Sequence, residues 1–153
     1  MKVATIQMVS GSDLQCNLAQ ARTLLGEVAQ AGAELAVLPE YFCLLGLHDS
    51  DKLAIQEVDG DGPIQQFLAD TARDLGLWIV GGTVPLSLSK GVVSGAAADR
   101  VFNSTLVYDP QGQRVARYDK IHLFRFDNGQ ESYDESRVLA PGCEPVQIGR
   151  AHV

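Results

Sequence analysis

A chain of 153 residues that is 46% hydrophobic and 20% charged has enough apolar surface for one sizeable core, and its composition gives no sign of disorder. A net charge of −7 and a sequence pI near 4.8, with twelve scattered Lys and Arg, exclude the clustered basic footprint that phosphate binding needs, so nucleic acid is not an expected partner. No run approaches the roughly 20 apolar residues of a membrane span, and the three cysteines, Cys16, Cys43 and Cys143, are too widely and irregularly spaced for a disulfide framework or a zinc site, which together point to a reducing cytoplasm and no membrane partner.

Met1-Lys2-Val3 enters an alternating strand directly, without a signal region, and this first strand is expected over Lys2 to Val9. Ser12 with Gln15 forms a capping box for a helix from about Asp13 to Ala31, closed by Gly32. Leu14, Leu18, Ala21, Leu25, Val28 and Ala29 share one face of it, which therefore packs on a sheet. Leu35-Ala36-Val37-Leu38 reads as a short buried strand ended by Pro39. Glu40 then sits where the chain leaves the sheet, the usual place for a site in an open α/β architecture.

Pro63 starts a second amphipathic helix, with Ile64, Phe67, Leu68, Thr71 and Leu75 on one face and Gly76 at its end. Leu77 to Thr83 is the next expected strand. Pro85 to Asp99, rich in Ser, Gly and Ala, has no period and reads as an exposed loop. Asn103 to Tyr108 and Gln113 to Tyr118 form a hairpin around the type I turn signal Asp109-Pro110-Gln111-Gly112, and the hairpin delivers Lys120 to the sheet edge. Asn103-Ser104-Thr105 also matches a glycosylation sequon, which carries no meaning without a secretory route.

Glu40 and Lys120 each follow a strand and each is flanked by aromatic residues that can wall a pocket and exclude water. An ordinary salt bridge is the plain alternative for such a pair. In a low-dielectric pocket, burial would push the glutamate pKa up and the lysine pKa down.

Five segments in order, Ala4-Thr5-Ile6-Gln7-Met8, Leu38-Pro39-Glu40-Tyr41-Phe42, Gly81-Gly82-Thr83, Asn103-Ser104 and Tyr118-Asp119-Lys120-Ile121-His122-Leu123-Phe124, resemble the N-terminal part of the nitrilase superfamily of carbon-nitrogen hydrolases. The Lys-Ile-His-Leu-Phe wording is most similar to the branch that includes omega-amidase and deaminated-glutathione amidase. The resemblance implies an α/β fold, the N-terminal half of an α/β/β/α sandwich, truncated here. It also implies hydrolysis of a small linear amide to a carboxylate and ammonia through a cysteine thioester, with no metal or organic cofactor, in a protein that is a homo-oligomer when full length. Glu40 would be the base that takes the thiol proton, and Lys120 would stabilise the oxyanion. Tyr133-Asp134-Glu135-Ser136 before Pro141-Gly142 matches a second family segment, so Glu135 would orient Lys120 or the substrate, a solvated loop carboxylate being the alternative. Tyr41 and Phe124 are candidates for the substrate pocket, or for the core. His122 is expected to support its loop by hydrogen bonding rather than to act in catalysis.

The family nucleophile lies in a later segment that these residues do not include. Cys143 follows a Pro-Gly turn with no strand leading into it, and Cys16 and Cys43 read as packing residues. Ile148-Gly149-Arg150-Ala151-His152-Val153 is what ATC-GGA-AGA-GCA-CAC-GTC encodes, which resembles a common sequencing adapter whose next triplet is a stop. Residues 1–147 are therefore expected to be a partial hydrolase domain and 148–153 an artefact tail, a natural short tail being the alternative. Such a half-sandwich would leave an open edge and a bare apolar face, and the literal chain is expected to be poorly soluble or partly unfolded, and inactive. A nitrile or N-carbamoyl hydrolase of the same superfamily, or a non-catalytic assembly module, are the rival readings.

Overall fold

The computed structural model describes residues 1–88 and 100–147. Most of the expected 85–99 loop and the whole 148–153 tail thus lie outside the described residues. Among those described, seven strands form one mixed sheet and two more form a separate hairpin. Strands β1 (Val3–Thr5), β2 (Leu35–Val37) and β3 (Trp78–Val80) run parallel in that spatial order. The crossovers between them carry helices α1 (Leu14–Gln30) and α3 (Pro63–Leu75), the latter preceded by a single turn, α2 (Asp51–Ala54).

The long central strand β5 (Val101–Tyr108) runs antiparallel to β3 and to β4 (Val84–Ser87) along one side. On its other side lie β6 (Arg114–Asp119), antiparallel, and the two-residue β9 (Leu139–Ala140), parallel. The detached hairpin is β7 (Arg125–Asp127) with β8 (Ser132–Asp134), followed by a 3-10 turn at Glu135–Arg137.

The helices share one core with one face of the sheet. Leu18, Ala21 and Leu25 of α1 and Ile64, Leu68 and Ala72 of α3 are buried with Ala36, Ile79 and Leu106. The cross-strand register puts Val3, Leu35 and Trp78, and next to them Thr5, Val37 and Val80, on the opposite face, where they are exposed or half-buried. The bare apolar face expected of a half-sandwich is therefore present.

Several local expectations are corrected. The ladder of the first strand covers only Val3–Thr5, although the Ile6 N–H still reaches the Val37 carbonyl at 2.9 Å. Asp13, not Ser12, caps α1, its carboxylate accepting the Cys16 N–H at 2.8 Å. Two capping residues stood side by side, and the helix starts after the second. The strand expected over Leu77 to Thr83 breaks after Val80, at Gly81-Gly82, and resumes as β4. Pro85, read as the start of a loop, is inside β4. It lies on the outer side of the sheet, where its carbonyl accepts the Glu57 N–H at 3.0 Å and the Ser87 N–H reaches the Glu57 carbonyl at 2.8 Å.

The break at Gly82 has a steric cause that matters for the site. Its φ is 55°, and a Cβ there would lie 2.1 Å from the Pro39 carbonyl oxygen. Glycine lets the β2 exit, which carries Glu40, pack directly on the β3–β4 junction.

Candidate active site

Three segments converge where the parallel strands end. Glu40 lies three residues past the end of β2, Lys120 follows β6 directly, and Glu135 opens the 3-10 turn after β8. Lys120 stays in register because its N–H donates to the Asn103 carbonyl at 3.0 Å and its own carbonyl accepts the Gly142 N–H at 2.9 Å. One face further on, the Ser104 hydroxyl donates to Asp119 at 2.6 Å, and Arg117 forks onto the same carboxylate at 2.9 and 3.0 Å. Asn103 and Lys120 are thus held as cross-strand neighbours.

The Lys120 ammonium donates to Glu40 Oε1 at 3.1 Å and to Glu135 at 3.1 Å from Oε1 and 3.0 Å from Oε2. Glu40 Oε1 also accepts the Asn103 side-chain amide at 2.7 Å. Glu135 is 4% exposed, so it is not a solvated loop carboxylate. Its Oε2 accepts the Phe124 N–H at 2.7 Å and its Oε1 the Tyr41 hydroxyl at 3.1 Å. Glu40, by contrast, has a side chain 45% exposed and faces outward. The arrangement is one buried carboxylate that anchors a lysine and one open carboxylate beside it.

The electrostatics follow from these partners. Burial disfavours the charged form of Lys120, but the hydrogen bonds and charges of Glu135 and Glu40 outweigh it, and its pKa is raised. The expectation of a depressed lysine pKa is corrected, since it weighed burial without the two anions. Burial likewise works against the Glu135 anion, yet the Phe124 N–H, Lys120 and Tyr41 hold its pKa below the ordinary value. Burial, then Glu135 and Glu40, push the Tyr41 phenol well above its ordinary range, so it remains a neutral donor.

Glu40 and Lys120 open onto a hollow of about 300 Å³ lined by Val37, Val80, Thr83, Asn103, Thr105 and Tyr118, on the bare side of the sheet. A second hollow of about 260 Å³ shares Glu40 and is walled by Met8, Val9, Pro39, Tyr41 and Leu45. Tyr41 therefore borders the site, while its hydroxyl is engaged by Glu135. Phe124 lines neither hollow. It is 55% exposed and packs against the Tyr133 ring with 5.8 Å between centroids, meeting the site through its backbone N–H. Phe42 is fully buried in the core. His122 is exposed and makes no hydrogen bond among the described residues, so the expected loop-supporting bond is absent.

No cysteine borders either hollow. Cys43 is buried, its thiol directed at the Thr83 carbonyl at 3.5 Å and its pKa pushed up to about 12 by desolvation. Cys16 and Cys143 are exposed elsewhere. No group of three His, Cys, Asp or Glu side chains among the described residues is arranged to hold a metal ion. No described helix is long and apolar enough to cross a membrane.

Asn103 is the residue that sequence reasoning did not place. It is 3% exposed and bonds Glu40 through its side chain and Lys120 through its backbone. Its only signals were its place in the Asn-Ser segment and an uncharged amide that opens a polar Asn-Ser-Thr run within a strand of apolar and aromatic residues. In the fold the sequon's amide nitrogen is buried and engaged by Glu40.

Residues 2–152 match the family model for carbon-nitrogen hydrolases. The chain is 34% identical over 142 residues to a deaminated glutathione amidase of Yersinia enterocolitica, covering 92% of this chain and 47% of that protein. It is 29% identical over 150 residues to a chloroplastic omega-amidase of Arabidopsis thaliana, covering 95% and 38%. Among solved structures it superposes on Saccharomyces cerevisiae Nit3, a member of branch 10 of the nitrilase superfamily, with a TM-score of 0.77 and 25% identity over 97% of this chain and 51% of that one. The chain spans about half the length of the relatives it matches, and, with its mixed α/β sheet and the family match running over nearly all its residues, it belongs to the carbon-nitrogen hydrolase family.

Proposed function

We propose that this chain supplies the base and the oxyanion-binding lysine of an amidase that converts a small linear amide to a carboxylate and ammonia through a cysteine thioester. The observation that carries the reading is the Lys120 ammonium shared between an open carboxylate, Glu40, and a buried one, Glu135, at the mouth of a hollow. A simple surface ion pair would not need the buried third partner. The names of the amidases to which the chain is similar favour amides over nitriles.

In this reading Glu40 takes the proton of a thiol that attacks the amide carbon, and Lys120 hydrogen-bonds the oxygen as it becomes an oxyanion. Collapse breaks the C–N bond, and Glu40 returns the proton to the departing amine, releasing ammonia. Water, deprotonated by Glu40, then cleaves the thioester and regenerates the thiol. Lys120 can remain cationic throughout, because the two carboxylates stabilise its charge. Since none of Cys16, Cys43 and Cys143 borders the hollow, the nucleophile comes from outside residues 1–153, and the chain by itself turns nothing over.

The test is to read the native locus past residue 147 and to assay its full product for ammonia release from linear amides, nitriles and N-carbamoyl compounds. Release from amides that Glu40→Gln or Lys120→Ala abolishes supports the proposal. A product that releases ammonia equally well with either substitution, or that binds amides without cleaving them, refutes it.

A further inference from the structure

Tyr41 is the one non-glycine residue with positive φ among the described residues, at 57°. Such a conformation in a tyrosine persists only where its surroundings impose it, and here three contacts do so. Its N–H donates to the Thr83 hydroxyl at 2.9 Å, its hydroxyl donates to Glu135 Oε1 at 3.1 Å, and its ring lies under the Lys52 ammonium, 4.9 Å from the centroid. The left-handed residue also reverses the chain directly after Glu40. The Phe42 N–H returns to the Pro39 carbonyl at 3.2 Å and the Phe42 ring drops into the core, leaving Glu40 at the surface of the cleft.

The oxygen that accepts the Tyr41 hydroxyl is also one that accepts Lys120. We infer that Tyr41 is a positioning residue, whose hydroxyl fixes Glu135 and through it Lys120, while its left-handed backbone sets Glu40 against the same ammonium. This rests on the hydrolase reading only for its catalytic consequence; the mechanical tie is a property of these residues alone. Tyr41 is then the physical link between the β2 exit, which carries the base, and the 3-10 turn, which carries the anchor. The charged and titratable groups around Glu135 are Lys120 from the end of β6, Tyr41 and Glu40 from the β2 exit, and Tyr133 from β8.

The Phe124 amide, bonded to Glu135 Oε2, is a built-in reporter of Glu135 ionisation. In the full product of the locus, its NMR shift followed against pH is expected to titrate with a midpoint higher by about one pH unit in Tyr41→Phe than in wild type, because a hydrogen bond to a charged group has been removed. An unchanged midpoint in a folded variant overturns the inference. If Tyr41→Phe fails to fold, Glu135→Gln reads the same tie from the other end. At neutral pH the Tyr41 ring carbon that bears the hydroxyl is then expected to shift, because its acceptor changes from a carboxylate to an amide, and an unmoved resonance overturns the inference.

In the full product of the locus, Tyr41→Phe is expected to lower kcat about tenfold with KM little changed, and to shift the acid limb of the pH profile upward. Wild-type kcat and an unshifted profile overturn the positioning role. A Glu40→Gln variant that keeps full activity instead overturns the assignment of Glu40 as the base and leaves the amide titration standing.

Discussion

Replacing Glu135 with alanine removes the anion on which the site is assembled, and the structure sets the cost. The Phe124 N–H and the Tyr41 hydroxyl lose their acceptor, and Lys120 loses its buried partner while keeping Glu40. Breaking a fully buried ion pair by removing one member costs about 3–5 kcal/mol. Here the Lys120 side chain is 24% exposed and retains one carboxylate, which lowers the figure, and two orphaned donors of about 1 kcal/mol each raise it again. A net loss of about 3 kcal/mol corresponds to a melting temperature lower by about 6–12 °C for a domain of this size. Thermal melts by circular dichroism at neutral pH and low protein concentration measure it, with Glu135→Gln, which keeps the shape and one acceptor, falling between alanine and wild type. An alanine variant that melts within about 2 °C of wild type would refute the view that Glu135 is an assembled anchor.

Three other outcomes follow from the same geometry. Glu135 has its pKa lowered on folding, so its contribution is present above the unfolded carboxylate value and is lost as pH falls through the folded one. Lys120 has its pKa raised, so its contribution is complete below the unfolded lysine value and is lost as pH rises through the folded one. Urea midpoints against pH should therefore show losses at both extremes that are smaller in Glu135→Gln. Gly82→Ala places a Cβ 2.1 Å from the Pro39 carbonyl oxygen at φ 55° and should cost about 3 kcal/mol or more, seen as a lower urea midpoint, whereas a neutral effect would contradict the close packing of the β2 exit. Glu57, 5% exposed, accepts the Ile64 and Gln65 N–H groups at the start of α3, so Glu57→Ala should lower stability by about 1–3 kcal/mol and speed amide exchange in the first turn of α3.

The two strand-exit residues, Glu40 and Lys120, were legible because a wholly apolar run ended by proline and a hairpin with a clear turn signal leave little freedom in where the chain emerges. Their mutual geometry was not, because it depends on Asn103, whose side chain and carbonyl reach one residue each. Glu135 was hard to separate from Glu131 and Asp134 by composition alone. Only the fold shows that it is the one turned inward. The raised Lys120 pKa was misjudged for the same reason, since burial is readable from neighbours in sequence and partner charges are not. Pro85 misled because proline ends most strands, and its tolerance in β4 comes from its place on the outer side of the sheet, beside Glu57. The left-handed Tyr41 left no trace in the sequence. A tyrosine has no intrinsic preference for that conformation, and the three contacts that impose it come from Thr83, Glu135 and Lys52.

The most direct test of the proposed amidase half-site is intact-mass spectrometry of the full product of the locus, quenched within the first turnover on a linear amide. Wild type should carry an adduct equal to the amide less ammonia, and Glu40→Gln should carry none, because the thiol keeps its proton. An adduct that forms at the wild-type rate in Glu40→Gln, or ammonia release with no adduct at any time, would contradict the account.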